Sequence, residues 1–202
     1  MKLYYAPGAC SLAPHMALRE AGLEFELEQV DLTSRKTATG EDFTRINPLG
    51  YVPCLKRDDG EILTECAALL QWIADQSPEL GLAPPEGSPE RYRLQETLNF
   101  IATELHKGFG PLFNPAFPDA AKEIVLGNLK GRLSHIDGLL ADRTFLLGDH
   151  FSVADCYLAT ILGWTRFLKM DLSPWPNLGA YLGRVTARPA VQEALKAEGL
   201  RA

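Results

Sequence analysis

The chain has 202 residues, 46% of them hydrophobic and 23% charged, with a formal net charge of -6 and an isoelectric point near 5.3. That composition supports a sizeable core and excludes an intrinsically disordered chain. The acidic balance, with no Lys/Arg run longer than Arg35-Lys36, excludes an electrostatic footprint for nucleic acid or for an anionic membrane surface.

The chain opens on a short β-rich run, Leu3-Tyr4-Tyr5, and not on a charged segment followed by an apolar stretch. No secretory signal is therefore expected, and no apolar run is long enough to span a bilayer. A turn at Ala6-Pro7-Gly8-Ala9 leads into a helical pattern over 11–21, closed by Gly22. Residues 25–31 read as a second strand, so the chain begins as a β-α-β unit with parallel strands. A polar loop over 33–40 and one short helix over 41–46 follow. Asn47-Pro48-Leu49-Gly50 is turn chemistry. Residues 51–57 read as a strand interrupted by Pro53, Asp58-Asp59-Gly60 as a hairpin turn, and 61–63 as the returning strand. Thr64 is placed to cap a helix over 65–76.

Ser77 to Pro89 holds four prolines and two glycines and reads as a linker. It divides an α/β domain, 1–80, from an all-α domain, 87–202. The second domain is expected to hold a long helix over 90–113, a helix over 119–140, one from Ser152 to about Leu168, and two more, over 176–187 and 190–198, split at Arg188-Pro189. Ser152 and Asp155 suit a short capping box, with Phe151 before it as a staple.

The four cysteines are Cys10, Cys54, Cys66 and Cys156. They form no C-x-x-C and fit neither a zinc site nor a secreted disulfide framework, and His15, His106, His135 and His150 show no metal spacing. No metal is expected. Reduced thiols, with no signal and no membrane segment, give the cytoplasm as the expected location.

Four features of the first domain carry candidate chemistry. Cys10 sits where a strand ends and a helix begins, a position that favours the thiolate; a packed half-buried thiol is the alternative. Val52-Pro53 removes a ladder donor within a strand, as an edge-strand proline or as a cis bond that leaves the Val52 backbone free to pair. Thr64-Glu65-Cys66 opens a helix, where free N–H groups hold carboxylates and Glu65 can hold an ammonium; capping is the alternative. Arg35-Lys36 can hold a second carboxylate or remain a solvated loop charge. In the long helix, Asn99, Thr103, His106 and Lys107 are spaced to share one face. Leu94, Leu98, Ile101, Leu105, Phe109 and Leu112 form an apolar stripe.

Taken in their order along a βαβ-ββα unit, these features resemble a thioredoxin-like domain, and the whole chain resembles a glutathione transferase. Tyr5-x-Pro7-Gly8-Ala9-Cys10-Ser11 with His106-Lys107 resembles the bacterial beta class. Asn47-Pro48-x-Gly50-x-Val52-Pro53, Thr64-Glu65 and Phe151-Ser152-Val153-Ala154-Asp155 support the family more broadly. The resemblance implies a thioredoxin-like glutathione-binding domain followed by a helical domain that supplies a hydrophobic co-substrate site. It implies catalytic roles for Cys10, His106 and Ser11. The implied glutathione site comprises Cys10, Arg35, Tyr51, Val52, Pro53, Glu65 and Cys66, with Asn99, Thr103, Glu104, Leu105, His106 and Lys107 from the long helix. Part of that set reaches the site from a neighbouring subunit in the family. Arg35 stands where the family usually has lysine. Cys66 stands where it often has a small residue, and an inert second thiol is the expected reading.

The expected function is conjugation of reduced glutathione, as co-substrate and with no resident cofactor, to a hydrophobic electrophile by a homodimer. Phe109, Phe113 and Trp164 are candidates for the electrophile's side. Thiol–disulfide exchange, peroxide reduction and dehalogenation through Cys10 are related activities. Ala13 gives Cys10 no partner three residues on, so exchange is expected to need an external thiol. The alternative is a storage protein of the same family that binds apolar ligands without turnover.

Overall fold

The computed structural model describes residues 1–200. β1 (Lys2–Tyr5) runs parallel to β2 (Glu26–Asp31), with Leu3 opposite Leu27. α1 (Leu12–Glu20) crosses between them. β4 (Cys54–Lys56) pairs antiparallel with β1, and β5 (Ile62–Thr64) antiparallel with β4. A two-residue strand, β3 (Lys36–Thr37), lies in the segment expected to be loop and pairs with the end of β2. The sheet order is β3-β2-β1-β4-β5. Nothing in two polar residues announces such a strand, because it exists only through its backbone pairing.

β1 alternates with period two between two apolar clusters. Leu3 and Tyr5 face the main core shared with the helices. Tyr4 and Ala6 face a smaller cluster holding Phe43, Val52 and Cys54. Phe43 anchors a 3-10 turn, Phe43–Arg45, where a helix over 41–46 was expected. α2 (Cys66–Asp75) starts one residue later than anticipated. Its first flanking residue is Glu65, with no side-chain cap, and Thr64 belongs to β5. The reading of Thr64 as the cap is thereby corrected.

The helical domain opens with α3 (Pro89–Phe100), where the Ser88 hydroxyl accepts from the Arg91 N–H and Pro89 occupies the first turn. The helical run continues to Phe113 but is not one α-helix. Ile101–His106 is π-helical, Lys107–Phe109 (α4) is a single α-turn and Gly110–Phe113 is 3-10. The wider π turns keep residues four apart in register. Ile101, Leu105 and Phe109 are all fully buried, while Asn99, Thr103 and Lys107 are all exposed. α5 (Asp119–Leu139), α6 (Val153–Phe167), α7 (Pro176–Thr186) and α8 (Pro189–Ala197) complete the bundle.

α6 is the axis of this domain, and every residue from Val153 to Leu162 is buried. Asp155, inside its first turn, accepts from the Ser152 N–H (2.8 Å), the Ser152 hydroxyl (3.0 Å), the Leu146 N–H (3.0 Å) and the Tyr181 hydroxyl (2.9 Å). The expected reach of Asp155 back to Ser152 is thus present, within a larger network. The two domains share one core, with α1 packed against α2, α6 and α8. The buried Arg91 reaches from α3 to both carboxylate oxygens of Asp75 on α2, each at 2.8 Å. Among the described residues no helix is long and apolar enough to cross a membrane.

Candidate active site

The junction between the domains is built around the loop that follows β1. Gly8 adopts φ +71°, where side chains are disfavoured, and a Cβ there would come within 3.2 Å of the Phe167 ring. Both backbone groups of Gly8 are claimed by distant elements. Its N–H donates to Glu198 Oε2 at 2.9 Å, and its carbonyl accepts from Trp164 Nε1 at 2.9 Å. The second Glu198 oxygen lies 2.8 Å from His15 Nδ1, and Arg19 Nε donates to His15 Nε2 at 3.0 Å. A guanidinium only donates, so His15 Nε2 accepts and Nδ1 carries the proton toward Glu198. Ser11 closes the loop from within. It is fully buried, accepts from the Ala6 N–H (3.1 Å) and donates to the Ala6 carbonyl (3.3 Å). Its hydroxyl therefore holds the turn.

Cys10, about nine-tenths buried, donates its thiol proton to the Val52 carbonyl at 3.2 Å. The Val52-Pro53 peptide bond is cis. The Cys66 thiol donates to the Cys10 carbonyl at 3.5 Å. The Cys10 thiol is held well below the ordinary thiol range, first by the hydrogen bond from Cys66 and then by His106, against the opposing effect of burial. A lowered value was expected from the helix start. The structure attributes it chiefly to two side chains. Burial pushes the Cys66 thiol up, so it remains a donor. His106 Nδ1 lies 2.7 Å from the Tyr157 hydroxyl, and its ring meets Trp164 edge to face at 5.0 Å. Tyr157, which sequence reasoning did not single out, meets His106 through its hydroxyl and favours the Cys66 thiolate against the effect of burial. A tyrosine on a uniformly buried helix gives no signal of its own.

Among the described residues, two of the three non-glycine residues with positive φ belong to the expected glutathione set, Arg35 (φ +54°) and Glu65 (φ +70°). Such backbone costs about 1–3 kcal/mol per residue and gathers at functional sites. Glu65, exposed at the start of α2, accepts from the Tyr51 hydroxyl at 2.7 Å. The Arg35 side chain lies over Gly50, within 3.1 Å of where a Cβ would stand. Arg35, Tyr51 and Glu65 therefore reach solvent beside the buried Val52, Cys10 and Cys66.

The residues expected from the long helix separate. His106 turns inward to Tyr157, while Asn99, Thr103 and Lys107 face out. The π segment breaks the single polar face inferred from α-helical spacing. Glu104 is engaged by Arg132 Nε at 2.6 Å. Leu105 and Phe109 have no exposed surface, so Phe109 supports Trp164 from behind (6.2 Å, edge to face) and cannot touch a co-substrate. Phe113, 44% exposed, meets Trp164 edge to face at 5.5 Å, and Phe167 is 59% exposed beside Gly8. Phe167 was not anticipated; as one aromatic in a buried helix pattern it carried no distinguishing mark. A larger groove, about 1420 Å³, runs between the linker and α5, lined by Leu82, Pro84, Phe100, Leu139 and Arg188 among others. It contains none of the residues around Cys10, and size alone does not make it the reactive site.

The model for the glutathione S-transferase N-terminal domain matches residues 8–76 and that for the C-terminal domain residues 100–189. The chain is 45% identical to glutathione S-transferase GstA of Escherichia coli O157:H7 over 201 residues, covering 100% of each. It superposes on a sphingomonad glutathione S-transferase complexed with glutathione with a TM-score of 0.96, 54% identity and 100% coverage of both chains. A bacterial beta-class glutathione S-transferase of Sphingomonas chungbukensis gives 0.96, 52% and 100% of both. With a thioredoxin-like domain whose strand-to-helix loop presents a buried thiol to an all-helical domain, the chain belongs to the glutathione S-transferase family and is a glutathione-transferring enzyme of the bacterial beta-class kind.

Proposed function

We propose that this enzyme conjugates reduced glutathione to hydrophobic electrophiles, with the glutathione sulfur placed against Cys10. The observation that carries the reading is the Cys10 thiol at the domain junction, with Cys66 and His106 as the groups that favour its thiolate. A sulfur environment that stabilises one thiolate also lowers the pKa of a second thiol brought beside it. The tripeptide's γ-glutamyl end, with its ammonium and carboxylate, suits Glu65 and the opening turn of α2. The Val52 backbone suits the cysteinyl unit, and Arg35 suits the glycyl carboxylate, which a guanidinium holds bidentately. Support for this placement comes from the sphingomonad relative of the same fold, which is complexed with glutathione.

Phe113, Trp164 and Phe167 form the aromatic wall offered to an apolar co-substrate. Asn99, Thr103 and Lys107, directed outward on the first long helical run, are placed for a second copy of the chain, so the working unit is a homodimer. The cytoplasm, where glutathione is abundant and thiols stay reduced, is its place of action. Calorimetry with reduced glutathione, together with a conjugation assay on a reactive aryl halide, tests the reading. Binding with turnover above the uncatalysed rate is expected. Absence of glutathione binding and of conjugation overturns it.

A further inference from the structure

We infer that Cys10 and Cys66 form a redox dithiol, in which Cys66 resolves a mixed disulfide on Cys10 and leaves an internal Cys10–Cys66 disulfide. Cys66 is the first residue of α2 and Cys10 lies in the loop before α1, so 56 residues of sequence separate two thiols that the fold brings together. The Cys66 sulfur is 3.5 Å from the Cys10 carbonyl, and each thiol acts on the other's titration. Both are free thiols. The other two cysteines stand elsewhere, Cys54 facing the Tyr4 and Phe43 cluster and Cys156 within α6.

A buried thiol at its ordinary protonation is a poor nucleophile, so Cys66 needs a base. The structure provides one through Tyr157. Its hydroxyl lies 2.7 Å from His106 Nδ1 and acts on the Cys66 thiol, favouring its ionised form. The route takes the Cys66 proton to the Tyr157 hydroxyl as the Tyr157 proton passes to His106 Nδ1.

The steps balance with a low-molecular-weight disulfide, RSSR, as oxidant. The Cys10 thiolate attacks one sulfur of RSSR, forming Cys10–S–SR and releasing RS⁻. The Cys66 sulfur, its proton taken by the relay, attacks the Cys10 sulfur, forming the Cys10–S–S–Cys66 bond and releasing a second RS⁻, which takes up a proton. The first RS⁻ takes from solvent the proton that Cys10 gave up on ionising, so RSSR gains two electrons and becomes two RSH; the two cysteines lose the electrons. Two equivalents of thiol run the couple backwards. The inference draws on the proposed function only in naming glutathione disulfide as the natural RSSR.

The test uses the reduced full chain, exposed in one arm to glutathione disulfide and in the other to 2-hydroxyethyl disulfide. Each reaction is quenched with acid and iodoacetamide and followed by intact mass and non-reducing peptide mapping. In the wild type an adduct on Cys10 rises and then gives way to a species two hydrogens lighter, with a Cys10–Cys66 cross-linked peptide. In Cys66→Ser the adduct persists about tenfold longer or more. In Tyr157→Phe the rate of adduct collapse falls relative to the rate of adduct formation.

Cross-linking with 2-hydroxyethyl disulfide alone supports the dithiol and counts against the glutathione reading. A Cys10 adduct with glutathione that never yields the cross-link, in either arm, overturns the dithiol and leaves the glutathione reading standing. A protein that gives neither adduct nor cross-link in either arm also overturns it. The wild-type mapping stands without any variant, so a failure of Cys66→Ser to fold does not remove the test.

Discussion

The indole N–H of Trp164 donates to the carbonyl of Gly8 at 2.9 Å, across 156 residues of sequence. This one bond joins the aromatic wall of the helical domain to the turn that aims Cys10. Trp164→Phe keeps most of the ring and removes the donor. Leaving a buried carbonyl without its partner costs about 1–3 kcal/mol, so a lowered denaturation midpoint is expected. Because the lost bond lies in the reactive loop, alkylation of Cys10 by iodoacetamide should change in rate at the same time. A variant less stable but with unaltered Cys10 kinetics would show that the bond serves stability alone.

The Cys10 thiolate should be detectable by its titration. The rate of Cys10 alkylation against pH is expected to turn at a midpoint well below that of a free thiol, because Cys66 and then His106 favour the charged form. Cys66→Ala should raise that midpoint further than His106→Ala, following the order of the two causes. The linkage sign follows. The folded pKa is depressed, so Cys10 adds stability above the ordinary thiol pKa, and that increment fades as pH falls through the lowered folded value. Denaturation of wild type and Cys10→Ala across this range checks it, with the two curves converging at acid pH.

Glu65 separates binding from stability. Its backbone sits at φ +70°, a cost that glycine largely escapes. Glu65→Ala removes the carboxylate and keeps the strain, whereas Glu65→Gly removes both. Both variants are expected to weaken glutathione binding by about 1.5–3 kcal/mol, the worth of a charged hydrogen bond. Glu65→Gly should be at least as stable as Glu65→Ala. Calorimetry beside thermal melts decides, and equal affinity of either variant for glutathione would remove Glu65 from the binding set.

Asp155 is the costliest single loss expected in the helical domain. Four donors converge on its buried carboxylate, from Leu146, Ser152 and Tyr181. Asp155→Ala strands them, and a destabilisation of about 3 kcal/mol or more is expected. Tyr181→Phe removes one donor and one partner together and should cost about 1 kcal/mol. Chemical denaturation of the two variants measures the difference.

Much of this was legible in the sequence, for physical reasons that can be named. The βαβ-ββα order rests on turn residues and period-two patterning, and Asp155 follows from the short capping box. Cys10 announces itself by standing between a strand and a helix. What escaped detection depends on long-range pairing or on a change of helical pitch. β3 is two polar residues held by backbone bonds to β2. The inward turn of His106 comes from the π segment, because α-helical spacing had placed it with the outward-facing Asn99 and Thr103. Ser11, beside Cys10 in sequence, commits its hydroxyl to both backbone groups of Ala6. Tyr157, on the buried α6, and Glu198, just past the end of α8, complete the environment of the loop after β1 without any mark in their local patterns.

The bond from the Gly8 N–H to Glu198 spans 190 residues, and its consequence reaches into synthesis. A chain growing on the ribosome makes the thiol of Cys10 early and the carboxylate that braces its loop last among the described elements. Until α8 has emerged and docked on α1, Gly8 lacks that acceptor and His15 lacks its anchor. The nascent first domain therefore carries an unbraced cysteine, and the reactive geometry is assembled only as the final helix closes against it.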